Sequence, residues 1–233
     1  MTNFNIQIIS DTICPWCYVG YRRLTRAITT HIQSHPSDTF AITWSPFYLN
    51  SASPAFPGVD KQEFYERKFG RARTLGIFQK LSAIGEAEGI KFNFAGRTGR
   101  TRDSHRVIWL AARKEKELGV VQNAVKDGVI GGLQTRVVER LFRAYFEEEK
   151  NITDRAVLVE AAIDGGLEKA EVEKLLDSQD GGKEVDDEAE GARKQFVSAV
   201  PCFMIQGQYV IEGANEPDAF LEVFERIKRG VDV

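Results

Sequence analysis

Apolar and polar residues alternate over Asn5-Ile6-Gln7-Ile8 and turn fully apolar at Ile9, the pattern of a short buried strand. Asp11 to Cys14 reads as a turn. Pro15 then sits where a first helical residue belongs, because its missing N–H leaves nothing unpaired there. From Trp16 to about Thr30, the residues Val19, Leu24, Ala27 and Ile28 recur at helical spacing. A second strand is predicted at Phe40–Trp44, ending at Ser45-Pro46, and the Pro/Ser/Gly-rich stretch 50–58 marks a boundary. Beyond it, residues 60–196 carry almost only helical spacing. Helices are predicted over 60–88, 101–118, 122–147, 153–164, 168–179 and 183–196, the third weakened by Gly131-Gly132. The many charges of 183–194 read as a solvated helix face.

Strand patterning returns at Pro201–Ile205. Gln206-Gly207 can turn the chain, and Gln208–Ile211 pairs back as a hairpin. A last helix is predicted with Asn215 as N-cap, Glu216 and Asp218 in its first turn, Lys228-Arg229 in its last and Gly230 as its stop. Phe220, Phe224 and Ile227 share one of its faces. The order is therefore β-α-β, a helical block, then β-β-α. Neither end piece is large enough to bury a core alone. Packed together, residues 1–50 and 197–233 would form one discontinuous α/β unit with a four-stranded sheet, and residues 51–196 a helical insertion domain.

Composition narrows the functional classes. With 233 residues, 42% hydrophobic and 28% charged, the chain reads as globular rather than disordered. A net charge of −3 offers no basic footprint, so nucleic acid is not an expected partner. No apolar run approaches a membrane span. The first ten residues lack the basic region and apolar core of a secretory signal, which points to a cytoplasmic protein. Three cysteines are too few for a disulfide-stapled scaffold or a four-thiolate zinc site. His31 and His35 fall at or beyond the far end of the first helix and His105 is isolated, so no metal is expected.

The informative feature is Cys14-Pro15-Trp16-Cys17 between a strand and a helix. A thiolate at a helix N-terminus faces unpaired N–H donors and the positive end of the dipole, and both favour the anion. A second cysteine one turn later is placed to attack a mixed disulfide and release product. Pro15 and Trp16 bring no charge that would repel the thiolate. Late in the chain, Val200-Pro201 precedes a strand, where a proline is often cis.

Together with Tyr18, the stretches Trp44–Phe47, Ser104-His105-Arg106, Leu141–Phe146 and Ala199-Val200-Pro201, this motif resembles the DsbA-like thioredoxin-fold proteins, most closely the FrnE-type branch. The same superfamily holds 2-hydroxychromene-2-carboxylate isomerases and kappa-class glutathione transferases. The resemblance spans nearly the whole chain. It implies a thioredoxin-like α/β fold with a large all-α insertion and a thiol–disulfide oxidoreductase. By it, Cys14 is the attacking cysteine, Cys17 the resolving one, Pro201 the cis-proline facing the pair, and Val200 the residue whose backbone binds substrate. Pro15 and Trp16 would border the same substrate. Asp11 lies where relatives place an acidic or polar residue near the helix start.

Glutathione-using relatives typically carry Ser where Cys14 stands. Two cysteines here favour disulfide exchange over the alternative, a glutathione-dependent isomerase or transferase of an aromatic or polyketide-type substrate. Asn50 and the 213–215 loop with Asn215 fall where those relatives contact glutathione, which keeps it as a co-substrate, although no cofactor is required. Relatives are often dimeric, which suggests a homodimer. DsbA itself stands at about −120 mV, and a cytosolic pool near roughly −250 mV would hold such a pair reduced. A cytoplasmic member would then reduce or isomerise disulfides, use glutathione, or draw on a dedicated oxidant. His105 is a candidate substrate contact on its helix. Arg97, Arg100 and Arg102 form a basic cluster able to meet a substrate carboxylate or simply be solvated. Cys202 reads as a buried, apolar-like cysteine.

Overall fold

The computed structural model describes residues 1–119, 125–126, 129–194 and 197–230. Strand β1 (Asn3–Ser10) leads through a turn into α1 (Pro15–Ser34), and β2 (Thr39–Pro46) follows. A two-residue strand β3 (Val59–Asp60) precedes α2 (Lys61–Phe69) and α3 (Arg71–Ala87), and β4 (Arg97–Thr98) pairs with β3. Next come α4 (Arg102–Leu118), a small hairpin β5 (Val125–Lys126) and β6 (Val129–Ile130), then α5 (Leu133–Phe146), α6 (Arg155–Gly165), α7 (Lys169–Leu176) and α8 (Gly182–Lys194). Strands β7 (Cys202–Ile205) and β8 (Tyr209–Glu212) and helix α9 (Pro217–Lys228) complete it.

Four strands form the main sheet in the order β2-β1-β7-β8. Strand β1 runs parallel to β2 and antiparallel to β7, with Ile9 opposite Cys202. The alternation in β1 sends Phe4, Ile6 and Ile8 to one face, where all three are buried under α1 and α9. There Phe4, Phe40 and Phe224 form an aromatic cluster with centroids 4.8–5.2 Å apart. The β7–β8 turn is made by Gln206 and Gly207, both at positive φ, which matches the right-handed twist of a tight hairpin. This is an α/β, thioredoxin-like sheet with a helical insertion between its two halves, which is not all-α as expected because it carries the two short strand pairs β3–β4 and β5–β6.

The insertion is fastened to the open edge of the sheet by a side chain acting as a strand. Gln134 of α5 accepts from the Trp44 N–H at 3.0 Å and donates to the Trp44 carbonyl at 3.2 Å. Thr135, beside it, accepts from the Trp44 indole at 3.0 Å. These groups are buried, so the edge of β2 is satisfied without a further strand.

Four expectations need correction. The helix predicted over 60–88 is two helices, because Gly70 takes φ 80° and the chain turns there. The helix predicted over 122–147 begins only at Leu133, after Gly131 at φ 115°. Its earlier part includes strands β5 and β6, while residues 122–124 and 127–128 lie outside the described residues, as do the last two of 183–196. Asn215 is not the N-cap of α9; Glu216 holds that position ahead of Pro217. The pairs β3–β4 and β5–β6 went unforeseen, since two residues carry no readable period. Among the described residues no helix is long and apolar enough to cross a membrane.

Gln134→Leu leaves the Trp44 N–H buried and unpaired. It should lower unfolding free energy by about 1–3 kcal/mol in urea titration; an unchanged midpoint would refute the edge-pairing role.

Candidate active site

Cys14 occupies the N-cap of α1 with extended backbone angles and no side-chain cap of its own. Its N–H donates to the Asp11 carbonyl at 3.0 Å, closing the turn, and its carbonyl accepts from Cys17 N–H at 3.0 Å. The thiol is 4% exposed and donates to the Val200 carbonyl across 3.5 Å. The Val200–Pro201 peptide is cis, as the sequence suggested, and the Pro201 carbonyl accepts from Gly213 N–H at 2.8 Å. Gly20, one face of α1 further on, lets the helix close against Pro201 and Phe203: a Cβ there would stand 3.0 Å from each.

Cys14, Cys17 and Cys202 are all free thiols. Cys17 is fully buried below Cys14. Burial first, then a hydrogen bond to Cys14 and its charge, push the Cys17 thiol well above its ordinary value, against the Ser10 hydroxyl and the Asp11 backbone, which favour the anion. The pair is therefore asymmetric: Cys17 holds its proton while Cys14 faces a cavity. Cys202 is buried in the sheet, and burial followed by Glu212 pushes its thiol up as well.

That cavity measures about 470 Å³ and is bordered by Cys14, Pro15, Trp16, Asn50 and Val200, five of the residues singled out from sequence. Its outer wall comes from α2 and α3, with Phe64, Tyr65 and Phe69 on the first and Ile77 and Leu81 on the second. None of these wall residues carries a motif; the only sequence signal was a cluster of aromatics on a short, otherwise charged helix. Tyr65 and Cys14 line the same cavity, and burial first, then the Cys14 sulfur, raise the Tyr65 hydroxyl above its ordinary value. Tyr145 lines the floor and its hydroxyl bonds Thr98 at 2.8 Å. Beneath its ring lies the Lys61 ammonium, 3.9 Å from the centroid and donating to the Tyr145 carbonyl at 2.7 Å. Lys61 is 2% exposed, and burial pushes its amine down to about 8 despite Glu149 and Asp60 nearby.

Two predicted contacts lie elsewhere. Asn215 is exposed, and its amide donates to the Glu212 carbonyl at 2.6 Å, a turn-stabilising role away from the cavity. His105 borders a second cavity, of about 630 Å³, behind the polar face of the sheet. Its Nε2 lies 3.4 Å from Asp11 Oδ1, each without a hydrogen bond among the described residues, while Asp11 Oδ2 accepts from Leu49 N–H at 2.8 Å. Asp11 thus braces the turn before Cys14 rather than entering the cavity. The arginine cluster is largely structural: Arg97 donates to the Pro57 and Gly58 carbonyls and Arg102 pairs with Asp186. His31, His35 and Asp38 approach one another at the opposite end of α1, about 20–30 Å along the helix from the cysteines. There Asp38 already accepts from Lys228 and His31.

A match to the DSBA-like thioredoxin domain family runs over residues 5–225. The chain belongs to that family. An uncharacterised Bacillus subtilis protein, YwbO, is 25% identical over 222 residues, 93% of each chain. The crystal structure of a probable DsbA oxidoreductase from Streptomyces coelicolor superposes with a TM-score of 0.80 at 23% identity, over 99% of this chain and 92% of the other. The cytosolic disulfide reductase DsbM from Pseudomonas aeruginosa, solved with GSH, gives 0.58 at 16% identity over 97% and 99%. These likenesses carry the DsbA-like fold; the chemistry of this chain rests on its own residues.

Two measurements check this geometry. Iodoacetamide on the native, reduced protein near pH 8 should label Cys14 at least about tenfold faster than Cys17 or Cys202 by peptide mapping; equal labelling would contradict the asymmetry. Lys61 has a lower value folded than unfolded, so through this group stability rises as pH climbs from about 8 to about 10.5. The stability difference between Lys61→Met and wild type should therefore favour the variant most at about pH 7 and shrink towards about pH 10. A difference independent of pH would show that Lys61 does not titrate as described.

Proposed function

We propose that the protein is a thiol–disulfide oxidoreductase working through Cys14 and Cys17. The observation that carries this reading is the placement of one thiol at the mouth of a cavity with a second, protonated thiol directly behind it. Cys14 sulfur attacks a substrate disulfide; the Cys14–sulfur bond forms, the substrate S–S bond breaks and one thiolate leaves. Cys17 then attacks Cys14 sulfur, forming the Cys14–Cys17 bond and expelling the second thiolate. Two electrons pass to the substrate, and the protons of the pair go to solvent or to the departing thiolates. The reverse sequence oxidises a dithiol.

The timing follows from what raises Cys17. Once Cys14 is tied in a mixed disulfide, its negative charge and its acceptor for the Cys17 proton are gone. Burial remains, and the Ser10 hydroxyl and Asp11 N–H still favour the anion. Cys17 therefore ionises more readily after the first step than before it, which orders the two attacks. The Val200 carbonyl and cis-Pro201 beside Cys14 offer backbone to a substrate, and a low-molecular-weight thiol such as glutathione would return the pair to the dithiol. With such a thiol as the electron source, the net direction is disulfide reduction.

With a small disulfide and a thiol reductant, Cys14→Ser should lower turnover by at least about a thousandfold. Cys17→Ser should accumulate a mixed disulfide at Cys14, seen as an adduct by intact mass spectrometry. Full turnover by Cys14→Ser, with no adduct on Cys17→Ser, would discard this reading in favour of a glutathione-dependent isomerase or transferase.

A further inference from the structure

The cavity beside Cys14 has a chemical character beyond its sulfur. Its walls are aromatic and aliphatic, and the charged side chains that line it are Lys68 of α2 and Lys80 of α3, with no Asp or Glu among the lining residues. Elsewhere among the described residues some lysines are paired with carboxylates, as Lys114, Lys150 and Lys183 are, and others, such as Lys91, Lys116 and Lys174, are not, so what marks this rim is that its cations stand over an apolar chamber. Among the described residues neither Lys68 nor Lys80 has an ion-pair or hydrogen-bond partner. Each instead rests near a ring: Lys68 Nζ lies 5.3 Å from the Phe69 centroid and Lys80 Nζ 6.0 Å from that of Trp16, inside the cysteine motif itself. The buried Lys61 ammonium beneath Tyr145 adds positive charge behind the floor.

An apolar chamber with unpaired cations at its rim selects by two independent terms. Its aromatic walls favour a flat apolar body. Its unopposed cations, on two solvent-exposed lysines, favour a negative group and repel a positive one. A volume near 470 Å³ is that of a small-molecule site.

We propose that the substrate taken at Cys14 is a low-molecular-weight aromatic disulfide bearing carboxylates, its ring against the α2–α3 wall and its carboxylate at Lys68 and Lys80. The inference rests on the disulfide-exchange reading above and adds its substrate class. Cys14 sulfur attacks the aryl disulfide, the Cys14–sulfur bond forms, one aryl thiolate leaves, and Cys17 expels the second. The disulfide is reduced by two electrons to two aryl thiols, and the cysteine pair is oxidised to its disulfide.

The test is a set of single-turnover oxidations of the reduced protein at low ionic strength. The probes are 5,5′-dithiobis(2-nitrobenzoate), aromatic and anionic; 4,4′-dithiodipyridine, aromatic and neutral; oxidised glutathione, anionic and aliphatic; and cystamine, aliphatic and cationic. Each rate is divided by that of 2-mercaptoethanol, a neutral thiol, with the same disulfide, which removes the probe's intrinsic electrophilicity without adding a charged reference group. The anionic aromatic disulfide should have the highest normalised rate and cystamine the lowest. In the Lys68→Gln/Lys80→Gln variant the ratio of anionic to neutral aromatic rates should fall at least about fivefold, and about 0.5 M salt should reduce the wild-type ratio in the same direction. Oxidised glutathione leading the series would assign the site to a peptide-like anionic disulfide and overturn the aromatic element. An unchanged ratio in the double variant would overturn the role of the lysines. Failure of Cys14 to react with any probe would instead remove the exchange reading on which the inference stands.

Discussion

The antiparallel pairing of Ile9 with Cys202 is the contact on which the site depends. Cys14 and Val200 are 186 positions apart, and neither is within a strand. They meet because β1 and β7 lie side by side in one register and leave the sheet at the same end, one into the Asp11–Cys14 turn and the other back through Pro201. A slip of one residue would turn the buried face of β1 outward and carry the Val200 carbonyl away from the thiol. That register is strongly specified, since Phe4, Ile6 and Ile8 are buried together on one face while Asn3, Asn5 and Gln7 alternate to the other.

From this frame the chemistry acquires its direction. Helix α1 presents its first turn at the end of the sheet, so Cys14 stands at the N-cap while Cys17, one turn on, faces inward. One sulfur meets a cavity and the other meets Ser10 and Asp11 in the interior. The same arrangement makes the two thiols unequal before reaction and changes their inequality once Cys14 is derivatised. The helical insertion contributes differently. Gln134 clips it to the edge of β2, and α2 and α3 then stand over Cys14 as an aromatic wall that the sheet alone could not supply. The cavity is thus walled by both parts of the chain, the cysteine turn and the Val200 loop on one side and the insertion's helices on the other.

The sequence alone determined the local architecture around the cysteines. Alternation in β1, Pro15 at the first helical position, the Gln206-Gly207 turn and the apolar stripe of α9 are all short-range signals, because backbone geometry ties side-chain direction to spacing within a few residues. Cys14-Pro15-Trp16-Cys17 was legible for the same reason: strand, turn and helix N-terminus are consecutive. Where a single residue broke the period, as Gly70 and Gly131 do through positive φ, the pattern still read as one helix, since neighbouring apolar residues outvoted the break.

Only the tertiary structure decided what each buried face is buried against. It brought Tyr65, Tyr145, Lys68 and Lys80 to the cysteine and turned His105 towards the opposite side of the sheet, against Asp11. It left Asn215 on the surface, bonded to its own turn. No periodicity could separate these outcomes, because a helical stripe records that a residue is covered and not which element covers it. The cavity's character is the sum of side chains from α1, α2, α3, α5 and the Val200 loop, and that sum exists only after long-range pairing has joined the two ends of the chain.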